Sequence, residues 1–390
     1  MARPTLDPVA MLARLVAFDT TSAKSNLDLI EFAAEHLRTV GCEPELVFDE
    51  TGAKANLIGT IGPDRAGGVV LSGHTDVVPV AGQAWDTDPF CLTQRNGRLH
   101  GRGTADMKAF LAVGLALAPE FAAADLQRPV HFAFSYDEEV GCLGVRRMIP
   151  ALARGAARPA AVIVGEPTGM RVVTAHKGIR TFRTTVTGVE AHSSAPASGV
   201  NAIYFAAKAI SFLRSEARRL AAEGASANSG YTPPMATISV GTIEGGTALN
   251  IVPKTCTFTW ECRVLPGANA DAIPDNFHRF IAEELLPAAL AESPFAAIVT
   301  EATGAVPAFD GGTDSLAATL ALKLAGSNRT ERVAYGSEAG LFQESGLSTV
   351  LCGPGDIADA HKPNESLAIT QLDACVAFHR RLIEHLTAAR

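Results

Sequence analysis

The sequence predicts an α/β domain interrupted by a ferredoxin-like α+β insertion, on three observations. Between residues 54 and 168, continuous apolar runs of strand length alternate with helical patterns, as in a sheet buried on both faces. Near residue 178 the pattern changes to strict alternation, "GIRTFRTTVTGV", the mark of a half-exposed antiparallel strand. From about residue 310 the apolar runs return. A chain of 390 residues exceeds what one core usually supports, so two domains are expected, residues 1–177 with 307–390 and residues 178–306 between them.

In chain order, "PVAMLARLVAF" and "NLDLIEFAAEHLRTV" read as amphipathic helices, the second stopped by Gly41, since glycine commonly ends helices. "KANLIGTIG", "GVVLSGHTDVV", "PVHFAFSYDEE" and "AAVIVGEPT" read as strands, with helical segments at 107–118 and 143–154. After the alternating strand at 178 come a helix over 201–223, a polar loop over 224–234, strands "MATISVGTIEG" and "KTCTFTWECRVL", a helix over 271–286 and a strand near "AAIVTEATG". That order, β-α-β-β-α-β, is the split-βαβ arrangement. "VAYG" and "STVLCG" are the expected late strands, and a helix starts near residue 370. No internal repeat is present.

Composition excludes several classes. Hydrophobic residues make up 47% and charged residues 19% of the chain, which is globular rather than disordered. The net charge is −8 and the paired arginines are scattered, so no basic stripe for nucleic acid exists. "AFLAVGLALA" is ten residues long before Pro119, about half a membrane span. The first 22 residues hold no apolar run of export-signal length. Seven cysteines, widely spaced and without a CxxC pair, indicate neither a disulfide framework nor a thiolate metal site. The cytoplasm is the expected location, with no membrane or nucleic-acid partner.

Ligand-type residues recur at or just after strand ends, where α/β folds build their sites. His74 and Asp76 lie in "LSGHTDVVPV", where a two-residue spacing points both side chains to one face. Asp106 sits in "GRGTADMK", Glu138 and Glu139 end "HFAFSYDEE", Glu166 ends "AVIVGEP", and His361 lies in "GDIADAHKPNES". Each has an ordinary explanation: a core histidine, a helix cap, a solvated turn, a surface loop. Together, imidazoles and carboxylates without thiolates suit two divalent ions such as Zn²⁺, with Co²⁺ or Mn²⁺ as alternatives. Two such ions about 3.5 Å apart need a bridging carboxylate, for which a short Asp in a tight turn is suited. Adjacent Glu138 and Glu139 point differently, so one can ligate while the other acts as general base.

"GHTDVVP", "GRGTADMK", "DEEVG", "GEPT" and "AHKPNE" resemble, in that order, the motifs of the M20 di-zinc amidohydrolases and peptidases. The resemblance covers nearly the whole chain. It implies a di-zinc exopeptidase-like catalytic domain with an inserted dimerisation (lid) domain, and two Zn²⁺ per subunit. His74 and Glu166 would hold one ion, Glu139 and His361 the other, and Asp106 would bridge them. Glu138 is then the general base, Asp76 fixes the tautomer of His74, and a cis peptide follows Asp106. The resemblance also implies that His192, in "VEAHSSAP", reaches the partner's site in a homodimer joined through the insert. Asn250 in "GGTALNIVP" and Arg263 in "WECRVL" match substrate-contact positions; their ordinary alternatives are a turn closure and a structural ion pair.

"KGIRTFRTTVTGVEAHSSAP", "YGSEAGLFQ" and "CGPGDIADAHKPNE" are most similar to the family members that remove acetate from N2-acetyl-L-ornithine. Rival expectations are desuccinylation of succinyl-diaminopimelate, general N-acyl amino acid hydrolysis, carboxypeptidase action, and a non-catalytic binder of acylated amino acids. The last would be expected to have lost ligands or base, and all are present.

Overall fold

A computed structural model describes residues 7–154, 157–224 and 229–388. The polar loop expected over 224–234 lies partly outside these residues. Two compact units partition the chain: Met1–Ala175 with Phe309–Glu331 and Ser337–Arg390, and His176–Ala308 with Arg332–Gly336.

The first unit is built on a mixed sheet. Its strands run in the order Glu45–Phe48, Ala55–Ile61, Val130–Ser135, Gly68–His74, Pro159–Pro167, Ser348–Gly353, Val172–His176 and Phe309–Asp310. The central pairs formed by Val130–Ser135, Gly68–His74, Pro159–Pro167 and Ser348–Gly353 are parallel. Gly68–His74 and Val130–Ser135 are buried at every position, which is why their sequences are continuous apolar runs rather than alternations. The helix Lys108–Ala123 is buried along most of its length and packs against the helices Pro8–Val16, Leu27–Arg38 and Ile369–Thr387. A Cβ at Gly165 would stand 2.0 Å from the Phe110 ring. That glycine therefore lets the helix lie directly on the strand that carries Glu166.

Helix Lys108–Ala123 continues through Pro119, although the sequence pattern predicts its end there. Proline removes the N–H that would bond the carbonyl four residues back. The orphaned carbonyl, Leu115, is instead 2.9 Å from His36 Nε2. Lys108 itself is buried and donates to the carbonyls of Leu15 (3.1 Å) and Phe18 (2.8 Å), satisfying the end of the first helix.

The second unit is a four-stranded antiparallel sheet in the order Thr237–Gly245, Thr255–Val264, Gly178–Thr187, Ala297–Val306. With helices Ala202–Glu223 and Ala272–Phe280 between the strands, this is the ferredoxin-like topology. Alternate residues of Thr255–Val264 are buried. Trp260 stacks on Phe182 at 4.3 Å between centroids and packs edge-on to Phe277.

Several elements differ from expectation. "VAYG" is not a strand at 333–336: the strand is Thr330–Val333, and Arg332–Gly336 belong to the second unit. The helix over 271–286 does not stop but passes through a π turn, Ile281–Leu285, into Leu286–Glu292. Pro287 follows that turn, and a widened turn relieves its clash with the preceding one. Strands "GVVLSGHTDVV" and "PVHFAFSYDEE" end early, at His74 and Ser135. The site residues beyond them sit in turns.

Candidate metal centre

The strand ends deliver the site. His74 closes its strand in register with Ser135, the last residue of the neighbouring strand. Past Ser135 the chain turns at Asp137, whose φ of 54° is left-handed. Asp137 Oδ1 is held by Lys54 Nζ at 2.5 Å, and the loop is closed by Leu143 N–H to Asp137 O (3.0 Å) and Gly144 N–H to Tyr136 O (3.1 Å). This turn presents Glu138 and Glu139. Asp106 lies in the turn before helix Lys108–Ala123, and the Asp106–Met107 peptide is cis. His361, with φ of 63°, follows strand Ser348–Gly353.

Four of the five expected ligands are bonded together. Asp106 occupies the centre: its Oδ1 is 3.0 Å from His74 Nε2 and its Oδ2 is 3.1 Å from His361 Nε2. His361 Nε2 is also 3.1 Å from Glu139 Oε2. One donor atom each from His74, Asp106 and Glu139 lies within 4.8 Å of the other two. A carboxylate with each oxygen turned to a different histidine has the form of a bridging ligand. Glu166 is outside this bonded group. It is buried, and its Oε1 accepts no hydrogen bond among the described residues.

His74 Nδ1 is 2.9 Å from the main-chain carbonyl of Asp76 and 3.5 Å from its carboxylate. A carbonyl only accepts, so Nδ1 carries a proton, and Nε2, protonated as well, donates to Asp106; that second proton is the one a metal ion would displace. Asp76 thus meets Nδ1 with its main-chain carbonyl and, at longer range, with the carboxylate expected in that role. That carboxylate has other partners: it accepts from the N–H of Glu138 (3.1 Å) and Glu139 (3.3 Å) and from Ser22 Oγ (2.7 Å). Asp76 therefore ties the His74 strand end to the Glu138–Glu139 turn.

The electrostatics are those of a cation site. Burial opposes charge on His74, yet hydrogen bonds to Asp106 and Asp76 raise its pKa well above 6.5. Hydrogen bonds to Asp106 and Glu139 raise His361 to about 10. Burial would raise Asp106, but hydrogen bonds from both histidines hold it below the usual carboxylate range. Burial, with the neighbouring carboxylates, raises Glu138 and Glu166 well above 4.5, and Glu139 less far. In this state protons on the two imidazoles supply the positive charge that the carboxylates need, a role divalent ions fill on displacing them. The donor set, two Nε2 atoms and three carboxylates with the orphaned Glu166 Oε1, fits Zn²⁺-type ions.

In the second unit, His192 is exposed, with Nδ1 2.7 Å from Ser194 Oγ. It is bridged to Ile251, and Asn250 O accepts from Ser193 N–H at 3.1 Å, so His192 and Asn250 share one surface. Arg263 is held by Glu261, Nε to Oε1 at 2.9 Å, and by the Ala334 carbonyl at 3.4 Å. Two buried acids went unassigned in the sequence. Glu338 accepts from Ser135 Oγ and from Ser72 Oγ (3.4 Å), and burial, only partly offset by Ser135 and His74, pushes it to about 7. Glu365 is also fully buried. The available signal was an acid set among small residues in "GSEAG" and one four residues after His361.

Residues 70–385 match the model of peptidase family M20/M25/M40. Acetylornithine deacetylase of Myxococcus xanthus is 34% identical over 389 residues, 98% of each chain. Acetylornithine deacetylase of Proteus mirabilis is 33% identical, over 96% of this chain and 93% of that one. Among solved structures, an M20 family metallo-carboxypeptidase from Sulfolobus solfataricus superposes with TM-score 0.78 at 18% identity, covering 98% of this chain and 100% of that one. A dinuclear metal-binding M20 peptidase from Bacillus subtilis gives 0.61 at 16%, covering 97% and 99%. At such identities these two bear on the fold alone. The family match covers well over half of the chain and the two deacetylase relatives nearly all of it, and the chain belongs to peptidase family M20/M25/M40, the metallohydrolases.

Proposed function

We propose that this protein hydrolyses N2-acetyl-L-ornithine to L-ornithine and acetate, in the cytoplasm, with two Zn²⁺ ions per subunit. The observation that carries the reading is Asp106 with its two oxygens turned to His74 and His361, beside the Glu138–Glu139 turn. The names of the near-full-length relatives support the substrate. His74 and Glu166 would hold one ion, Glu139 and His361 the other, and Asp106 both. When bound, the ions supply Lewis acidity at the amide carbonyl and lower the pKa of the attacking water.

Glu138 has the general-base role. Its carboxyl, with a raised affinity for protons, takes the proton of water at its Oε atoms and returns it to the leaving α-amine. Asp76 holds the N–H of Glu138 and so fixes where that base stands. Asn250 contacts the substrate, and the Arg263 fork suits a substrate carboxylate, which would compete with Glu261 for it. The test is a panel of N-acyl amino acids and dipeptides assayed with Zn²⁺ and with Co²⁺. The highest kcat/KM is expected for N2-acetyl-L-ornithine; a preference for succinyl-diaminopimelate or a peptide would overturn the substrate assignment.

The same reading includes a homodimer joined through the second unit, with His192 polarising the carbonyl in its partner's site. Support comes from the edge strand Thr237–Gly245, whose Ile243 is 56% exposed, and from an apolar surface at Ser193, next to His192, where Leu249 is fully exposed and Tyr204 69%. Uncovered, such an edge invites pairing. Mixing inactive Glu138→Ala and His192→Ala subunits under verified exchange should restore activity. If none returns, His192 does not serve a second chain.

A further inference from the structure

A chain of side chains links the loops carrying His361 and Asp106, and nothing in the proposed chemistry uses it. The main-chain carbonyl of His361 accepts from Gln83 Nε2 at 2.9 Å. Gln83 Oε1 in turn accepts from Arg102 Nη2 at 2.6 Å, and Arg102 Nη1 is 2.6 Å from Glu365 Oε2. The other Glu365 oxygen accepts the N–H of Ala105 (2.8 Å) and of Asp106 (3.1 Å). Glu365 also accepts Gly101 N–H on its own carbonyl at 3.0 Å, so one residue holds three N–H groups of the Asp106 turn. The Arg102 and Glu365 side chains are each only 1% exposed. The Arg102 guanidinium also stands 5.1 Å from the Trp85 ring centroid.

We propose that Glu365 is a positioning residue for the metal centre, with Arg102 as the hub that ties it to His361. The Asp106 carboxylate faces two histidines at once, so its useful placement depends on the backbone from which it projects. Glu365 holds that backbone at the two N–H groups nearest the carboxylate. His361 is the other half of the problem. Its backbone is left-handed, a conformation non-glycine residues keep only when surroundings enforce it, and the bond to its carbonyl is such an enforcement. One network therefore sets both ligands relative to each other. Outer partners of this kind typically govern metal affinity by about 10–100-fold.

This inference rests on the proposed metal centre, and its test separates positioning from stability. Removing one member of a buried ion pair strands the other charge, whereas replacing both with residues of similar volume is often neutral for folding. Two double variants differ only in whether the acceptor oxygen survives: Arg102→Met with Glu365→Gln keeps it, and Arg102→Met with Glu365→Leu removes it. Chelator-stripped proteins, shown folded by circular dichroism, are titrated with Co²⁺ and followed by the visible absorption of the bound ion. The Gln pair, which loses only the Arg102 tie to His361, is expected to bind about 10-fold more weakly than wild type, and the Leu pair about 10²-fold more weakly with an altered spectrum. Equal affinity in the two doubles, whether unchanged or lowered, overturns the proposal. If the Leu pair fails to fold, Glu365→Asp decides. It keeps the charge but draws the acceptor back, and unchanged Co²⁺ affinity and spectrum overturn the proposal while weaker binding upholds it. Wild-type protein that binds no Co²⁺ would overturn the metal centre itself, and this proposal with it.

Discussion

His74 and His131 sit on neighbouring parallel strands, both buried and both inside apolar sequence, and they behave in opposite ways. His131 Nδ1 is 2.9 Å from Thr60 Oγ, and burial pushes its pKa down to about 4. His74, four residues further along at the strand's carboxyl end, meets Asp106 and Asp76, and its pKa rises despite the burial. Depth in the protein is the same, and the company differs. One end of the sheet gathers carboxylates around imidazole; the body of the sheet leaves imidazole neutral. Burial marks neither as a ligand.

The largest effect should come from the acid beside the ligands. Glu138→Gln is expected to lower kcat about 10²–10⁴-fold while metal content stays at the wild-type level, the usual cost of losing a general base. Metal loss in that variant would make Glu138 a ligand and redraw the carboxylate end of the comparison.

Next, His74→Ala should weaken metal binding by at least about 10–100-fold, whereas His131→Ala should leave metal affinity as it is and lower only thermal stability. Equal metal loss in the two variants, each verified as folded, would erase the distinction between the two histidines.

Acid should reveal the core histidines. His131 and His379 both have pKa values of about 4 in the fold against 6.5 in the open chain. The unfolded chain then binds more protons between pH 6.5 and 4, so stability falls as pH falls through that window, by up to about 3 kcal/mol for each. Urea unfolding at pH 7 and pH 4.5 should show a smaller acid loss in His131→Leu than in wild type. An identical loss would mean that His131 titrates normally.

The smallest effect concerns His36, whose partner is the Leu115 carbonyl freed by Pro119. His36→Ala should cost about 1–3 kcal/mol, the range for a buried acceptor left unmet, and Pro119→Ala in the same background should recover part of it. No change in unfolding midpoint for His36→Ala would mean that another donor replaces it.

Period and punctuation made most of the architecture legible. The apolar runs of the central strands, the alternation at 178–189 and the order β-α-β-β-α-β all appear in the described structure, because burial on two faces or one writes itself directly into residue type. Elements held by distant partners were not legible. The strand Ser366–Ala368 is three residues long and exists through pairing with the distant Arg98–His100, and the helix through Pro119 persists with a histidine from another helix on its broken rung.

The site divides in the same way. Sequence by itself determined the inventory: His74, Asp106, Glu138, Glu139, Glu166 and His361 stand at or after strand ends, with no cysteine among them. Chemistry needs those residue types, and short motifs preserve them. Tertiary structure alone decided the partners: that Asp106 turns one oxygen to each histidine, that the Asp76 carbonyl faces His74 Nδ1, and that Arg102 and Glu365 stand behind the turn. Those bonds join residues up to 263 positions apart. Hydrogen-bond direction at such separations depends on how strands and turns pack in space, and no local pattern of residues encodes it.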